Sequence, residues 1–281
     1  MSLTASEQYC LNEVRRHDHD RYLTALFLPS ERRRAALALY AFSLEIARTR
    51  ELISEPLLGQ IRLQWWRETI AGLYTGASRE HPVVEALQAA IQNHDLSRAQ
   101  LETLVDAREA DLEDTPPRDL EALEAYARET SGGLSALVMR CLDGGKNDTA
   151  IDAARLVGTA WAIIGLARAV GFHAQTQRLY IPEDLLSAYE VERRRLFDLK
   201  PSPGLNQAIE VLVMRADKLL REARAQTRRI PKSARRGLLL AGLADRHIAV
   251  IRRVGHDPFA IPVARPAPLL RLTLRAWAGR Y

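Results

Sequence analysis

SERRRAALALYAFSLEIARTRELI, residues 30–53, contains neither Gly nor Pro. Pro29 and Ser30 supply a start signal, because the Ser30 hydroxyl can accept from free N–H groups of a first turn, and Glu55-Pro56 supplies a stop. Between these marks the spacing predicts one long helix, with Tyr40, Leu44, Ala47 and Glu51 sharing a face at intervals of three to four residues. That face is expected to look into a helical bundle and to carry a chemical site.

The surrounding chain points to the same fold class. At 281 residues, with 47% hydrophobic content, it can bury a sizeable core. Its 13 prolines and 15 glycines fall mostly at breaks, and Ala, Leu, Arg and Glu fill the stretches between them. No alternating Val/Ile/Thr run argues for a sheet, so an all-α bundle forming one domain over residues 1–281 is expected. Cys10 and Cys141 are far apart and form no CxxC pair, which suggests neither a disulfide framework nor a zinc site and fits a reducing compartment. Glu7, Glu13, Asp18 and Asp20 at the N-terminus are unlike a signal or transit peptide, so a cytoplasmic protein is expected. A net charge of +5 biases the surface toward anionic lipids, acidic proteins or nucleic acid without choosing among them.

Residues 4–27 read as a first helix containing HDHD at 17–20. Its residue types suit a metal, but neighbours one or two apart on a helix diverge, so no metal site is expected. A second helix, 57–76, sets Trp65 and Trp66 about 100° apart: either both are core, or one is core and the other faces a groove. A third helix runs from about His81 to Asn93, with Asp95 or Ser97 capping the next. Pro116-Pro117 break the chain before a helix that carries Tyr126 into Ser131-Gly132-Gly133. Residues 150–173 form the most apolar helix, with twelve uncharged residues between Arg155 and Arg168; the roughly 20 needed to span a bilayer are lacking, so a buried helix is expected, with Gly158 and Gly165 allowing close packing. Helices over 205–227 and 233–254 and a Pro-rich loop from Pro258 to Pro268 follow. The last helix places Leu270, Leu274, Trp277 and Tyr281 on one face and Arg271 and Arg275 on another, either as a lid on the core or as a surface for peripheral contact with the inner membrane through 269–281.

Several phrases resemble the squalene/phytoene synthase family. LYAFSLEIARTRE (39–51) is similar to the first signature, in which an LYAFCR-like lead runs into a DDxxD-type stretch. Position by position, the family's diphosphate-contacting arginine falls on Leu44, its first aspartate on Ala47 and its last on Glu51. The helix over 150–173 resembles the second signature, LTNILRDVGEDA. There the asparagine falls on Gly165 and the two aspartates on Ala169 and His173, and only Arg168 matches. Asp106, Glu109 and Asp111 match an acidic stretch, Arg128 stands where the family has a tyrosine, and RLYIPEDLL (178–186) carries the RxYxP phrase with Tyr180.

The resemblance implies an isoprenoid-synthase-like bundle around a central apolar cavity, in which aspartate pairs hold Mg²⁺ against a substrate diphosphate. Tyr40, Glu51, Arg168 and Tyr180 are the pocket residues retained here. Alanines at 47 and 169 have no oxygen to offer Mg²⁺. At roughly 1.5–3 kcal/mol per lost charged contact, the three replaced ligands would cost on the order of 5–9 kcal/mol. The degenerate pattern resembles most the branch that includes the mitochondrial complex I assembly factor with a phytoene-synthase-like fold. YLTALFLP (22–29), SEPLLGQIRLQWW (54–66), VDAREADLED (105–114), YIPEDLL (180–186) and WAGRY (277–281) carry that likeness, several of them outside catalytic motifs. It implies a non-catalytic helper with no metal or cofactor, a complex I subunit or assembly intermediate as partner, and no nucleic acid. Two alternatives stay open: a Mg²⁺-dependent prenyltransferase of the squalene/phytoene type, and a carrier of a prenyl, quinone-tail or lipid ligand.

Overall fold

A computed structural model describes residues 3–52, 55–262 and 269–281. Fifteen α-helices lie within these residues: α1 Ala5–His17, α2 His19–Ala25, α3 Ser30–Ala47, α4 Pro56–Thr75, α5 Pro82–His94, α6 Arg98–Asp106, α7 Leu120–Ala127, α8 Gly133–Asp143, α9 Asp148–Arg168, α10 Val170–Gln175, α11 Glu183–Ala188, α12 Arg193–Phe197, α13 Pro203–Ala225, α14 Leu240–Arg253 and α15 Leu269–Ala278. No strand occurs among the described residues, and the fold is the all-α bundle expected.

Local chemistry fixes many of the ends. Thr4 and Glu7 exchange side-chain and backbone bonds in a capping box ahead of α1, and Asn147 and Ser202 cap α9 and α13. Gly76 ends α4 in the left-handed region at φ 87°, where a side chain would be strained.

The core has two lobes. One gathers α9, α13 and α14, with Ile163, Leu212 and Ile251 fully buried; the other gathers α1, α3 and α5 around Phe42, Trp66 and Leu87. α8 joins them, giving Met139 to the first lobe and Leu137 and Cys141 to the second. α9 is long and apolar enough to cross a membrane by length and composition, but 61% of its most apolar window is buried inside the bundle, as a core helix requires.

Three predicted helices break. The stretch 4–27 divides at Asp18, whose carboxylate accepts from the Arg21 N–H and restarts the chain as α2. The stretch 30–53 stops at Ala47, and a 3₁₀ turn follows at Arg50–Leu52; Ile53 lies outside the described residues. The stretch 150–173 divides at Ala169. In addition, 233–254 starts as a 3₁₀ turn, Ala234–Leu238, before α14. Of the predicted Pro-rich loop, 258–262 is non-helical and 263–268 lies outside the described residues.

Candidate functional site

α3 carries the first motif. Tyr40 is buried, its phenol pushed up to about 12 by desolvation, and the Arg21 guanidinium lies 5.6 Å from its ring centroid. Leu44 packs against the α3 lobe, and Ala47 is half-buried at the last turn. Glu51 does not join them. Arg48 reaches Glu13 at 3.3 Å and Arg50 reaches Asp114 at 2.8 Å, so the chain is drawn out of the helix and Glu51 is left exposed on the 3₁₀ turn. The expected shared face of Tyr40, Leu44, Ala47 and Glu51 is therefore corrected to its first three members.

The second motif also ends early. α9 finishes at Arg168, Ala169 caps it, and His173 sits on the short α10. The His173 ring lies 4.7 Å from the Tyr180 ring, and burial, assisted by the Arg178 charge, pulls its pKa down to about 4. Gly165 faces open space, since an added Cβ would find nothing within 4 Å. This corrects the expectation that it allows close packing. Gly158 does allow it: a Cβ there would lie 2.3 Å from the Ser131 carbonyl oxygen.

Between these motifs stands an Asp111-centred network. The Tyr126 and Tyr180 hydroxyls donate to Asp111 Oδ1 at 2.7 and 2.8 Å, and Arg108 donates to Oδ2 at 3.1 Å and to the Tyr126 oxygen at 2.8 Å. Arg178 donates to the Asp111 carbonyl. Asp111 is 4% exposed. Burial raises the Tyr126 and Tyr180 phenols above their ordinary range. It works to lower Arg108, but the adjacent Tyr126 and Asp111 oxygens outweigh it and hold the guanidinium above its usual value. The cause of the arrangement is local. Residues 107–112 form a 3₁₀ turn, in which positions three apart eclipse, so Arg108 and Asp111 turn inward together. Asp106 and Glu109 instead bind Arg67, at 2.7 and 2.5 Å on the surface. The acidic stretch thus splits, and the hub role of Asp111 with Arg108 was not foreseen; helical spacing hides it and 3₁₀ spacing would have revealed it.

Mg²⁺ of the kind the family resemblance implies needs several oxygen donors. Ala47 and Ala169 have none, Glu51 is turned away, His173 offers a nitrogen, and both Asp111 oxygens are already engaged. No group of three or more His, Cys, Asp or Glu able to hold a metal occurs among the described residues. These residues do not fit the ion. Arg128, on a π-helical turn at Arg128–Gly132, is exposed beside a hollow with Gln100, Thr103 and Arg155, away from the Asp111 network.

Arg168 belongs to a different place, a cavity of about 600 Å³ between α14 and α15. Arg246, Arg253, Arg271 and Arg275 line it beside Leu243, Val250, Ile261 and Leu272. Burial lowers the Arg168 pKa, and the like charge of Arg246 adds to the effect. At its edge His247 Nε2 and Asp20 Oδ2 are 3.1 Å apart; burial pushes the Asp20 carboxyl up, but His247, Arg168 and Arg246 together hold it below its ordinary value. HDHD is thus a helix break and a tether. Asp245 joins Arg224 at 2.8 Å and Arg275 at 3.1 Å. Leu270, Leu274 and Trp277 are exposed on the outer side of α15, while Tyr281 is turned inward, donating to the Ala223 carbonyl at 2.9 Å, and so leaves the predicted stripe.

The squalene/phytoene synthase family profile matches residues 14–277. The chain belongs to the squalene/phytoene synthase family. It is 30% identical to NADH dehydrogenase (ubiquinone) complex I, assembly factor 6 of Bos taurus, over 100% of this chain and 85% of that protein. The Homo sapiens protein of the same name is 29% identical, over 98% and 83%. A phytoene synthase of Rhodobacter capsulatus is 26% identical over 86% of this chain and 71% of its own. Among solved structures, a dehydrosqualene synthase superimposes with a TM-score of 0.83 at 19% identity, covering 97% of this chain and 95% of its own. A squalene synthase from Alicyclobacillus acidocaldarius gives 0.79 at 21%, covering 90% and 95%. These two likenesses establish the isoprenoid-synthase fold.

Proposed function

We propose that this chain is a non-catalytic member of its family that assists assembly of respiratory complex I, the NADH:quinone oxidoreductase, at the membrane where that complex is built. The observation that carries the reading is the exchange of donors for packing. Of the four metal positions implied by the family, three are Ala47, Ala169 and His173 and the fourth, Glu51, is turned out to the surface, while the buried carboxylate of Asp111 is spent on two tyrosines and an arginine. A site so satisfied has nothing left to hold a diphosphate through Mg²⁺, and no metal or cofactor belongs to this reading. Full-length similarity to complex I assembly factor 6 supports the choice of process. Deleting the gene is expected to lower complex I activity while leaving squalene-derived and carotenoid products unchanged. Mg²⁺-dependent turnover of farnesyl or geranylgeranyl diphosphate well above a Glu51→Ala control would restore the enzyme reading.

The arginine-lined cavity favours a second reading alongside the first, a prenyl or lipid ligand with an anionic head held without turnover. Arg168 and Arg271 would meet the head, and Leu243, Val250 and Leu272 the chain. Binding of farnesyl diphosphate with Mg²⁺ removed, weakened by Arg271→Ala, is the corresponding test. Exposed Leu270, Leu274 and Trp277 support reversible attachment to the inner membrane through α15.

A further inference from the structure

We infer that the groove beside α4 is the docking site for an apolar helix flanked by Lys and Arg on a partner protein; the identity of that partner rests on the assembly-factor reading above. Leu57, Ile61 and Trp65 recur every four residues along α4 and, with Leu112, line a groove of about 630 Å³. Leu57 is 61% exposed and Ile61 58%, and Leu58 beside them is 46% exposed. An i, i+4, i+8 stripe of this kind packs inward on a finished surface helix. Here the inward side is already supplied by Leu63, Trp66 and Ile70, all buried. Leu57, Leu58 and Ile61 form a second apolar face with no covering among the described residues, and Trp65, half-buried under the Arg79 guanidinium 5.1 Å from its ring, and buried Leu112 form its floor. Trp65 and Trp66 divide the work between the two faces, one at the groove and one in the core.

The charge around the groove selects the occupant. Glu68, Glu109 and Glu113 line it. Asp106, Asp114 and Glu55 adjoin it in the chain or through ion pairs. Against these six carboxylates stand four guanidinium groups, each already engaged: Arg67 bound to Asp106 and Glu109, Arg79 to Glu68, Arg50 to Asp114 and Arg62 to Glu45. On a chain whose net charge is +5 this acidic border is the exception. It repels an anionic bilayer, which suits α15 instead, and it attracts cations placed around an apolar core. A helix laid in the groove, with apolar anchors at three- and four-residue spacing and basic residues toward Glu109 and Glu113, satisfies both features. A second copy fits less well, because Arg271 and Arg275 on its exposed helix face their own cavity.

The test uses the full chain in its own cell. A photo-crosslinking residue at Gln64 is expected to capture a complex I subunit or assembly intermediate through a peptide rich in Leu, Lys and Arg; the same residue at Lys218 is not. Leu57→Glu with Ile61→Glu should lower that yield at least tenfold and bring complex I activity to the level of the gene deletion. Both positions are exposed, and an unchanged melting temperature of the purified variant separates docking from folding. Glu55→Lys with Glu113→Lys should weaken capture without altering any apolar contact. Capture of lipid alone, capture of a second copy, or a yield indifferent to the Leu57/Ile61 substitution overturns the proposal. Full complex I activity in that variant, against lost activity in the deletion, overturns the groove and leaves the proposed function standing; no loss in the deletion overturns that function itself.

Discussion

Gly158 and Gly165 stand on the same helix, yet their surroundings call for opposite responses to a methyl group. At Gly158 a Cβ would press 2.3 Å from the Ser131 carbonyl oxygen and 2.5 Å from Ser135 Oγ, so α9 and the π-helical turn would have to part. Gly158→Ala is expected to cost about 1–3 kcal/mol and lower the melting temperature by several degrees. At Gly165 the methyl meets nothing, and the better helix propensity of Ala should leave stability unchanged or raise it by about 0.5–1 kcal/mol. Thermal unfolding of both variants checks the pair, and equal effects would contradict the close approach at Gly158. Asp111 is a residue of another kind, since its buried charge balances the half-buried Arg108. Asp111→Asn keeps the size but leaves that guanidinium uncompensated, with an expected loss of about 3–5 kcal/mol by denaturant titration. Arg108→Met added to it should recover part of the loss, because the unpaired charge is then gone.

At the scale of elements, most helices were legible because propensity, periodicity and caps agree: Pro56 and Gly76 bound α4, while α13 starts at Pro203, two residues ahead of the predicted 205, because Ser202 caps it. The misreadings occur where no Gly or Pro marks a break. Asp18, Ala47 and Ala169 interrupt runs of good helix formers. At Asp18 the cause is local, its carboxylate capping the next helix; at Ala47 and Ala169 it is tertiary, two ion pairs to distant elements and the turn of His173 toward Tyr180. Half the candidate site followed the same pattern. Tyr40, Arg168 and Tyr180 could be named through the family resemblance. Arg108 escaped because its partner Asp111 is three residues away on a 3₁₀ turn that was read as helix, and the pairing of Asp20 with His247 escaped because their elements meet only in the fold. α15 was readable except at its end, where Gly279 in the left-handed region sends Tyr281 into the core. Its exposed face therefore carries Leu270, Leu274 and Trp277, with its arginines on the cavity side. Leu270→Ser with Trp277→Ser is expected to reduce sedimentation with phosphatidylglycerol vesicles several-fold while leaving the melting temperature unchanged. Equal pelleting would make α15 a structural lid alone.

At the scale of the whole molecule, the internal polar groups couple stability to pH. The pKa of His173 is brought down to about 4 in the folded chain by burial, and that of His94 is lowered from 6.5 by burial and by Arg32. The unfolded chain protonates both near 6.5, so between about pH 6.5 and 4 it binds more protons than the folded one. Stability that is full above this window is therefore withdrawn as pH falls through it. Asp20 adds a second step: its folded pKa lies below 3.8, so its contribution is present above that value and is lost on further acidification. His173 is partly exposed, and its share, discounted for solvent screening, is on the order of 1–3 kcal/mol. Urea midpoints at pH 7.5 and 4.5 should thus differ for the natural chain. In His173→Gln, which cannot charge beside Arg178, the difference should shrink, and adding His94→Gln should remove most of the remainder. A midpoint that does not move between the two pH values, or a difference untouched by either substitution, would mean that the imidazole of His173 takes up its proton in the folded chain without cost, which its packing against Tyr180 opposes.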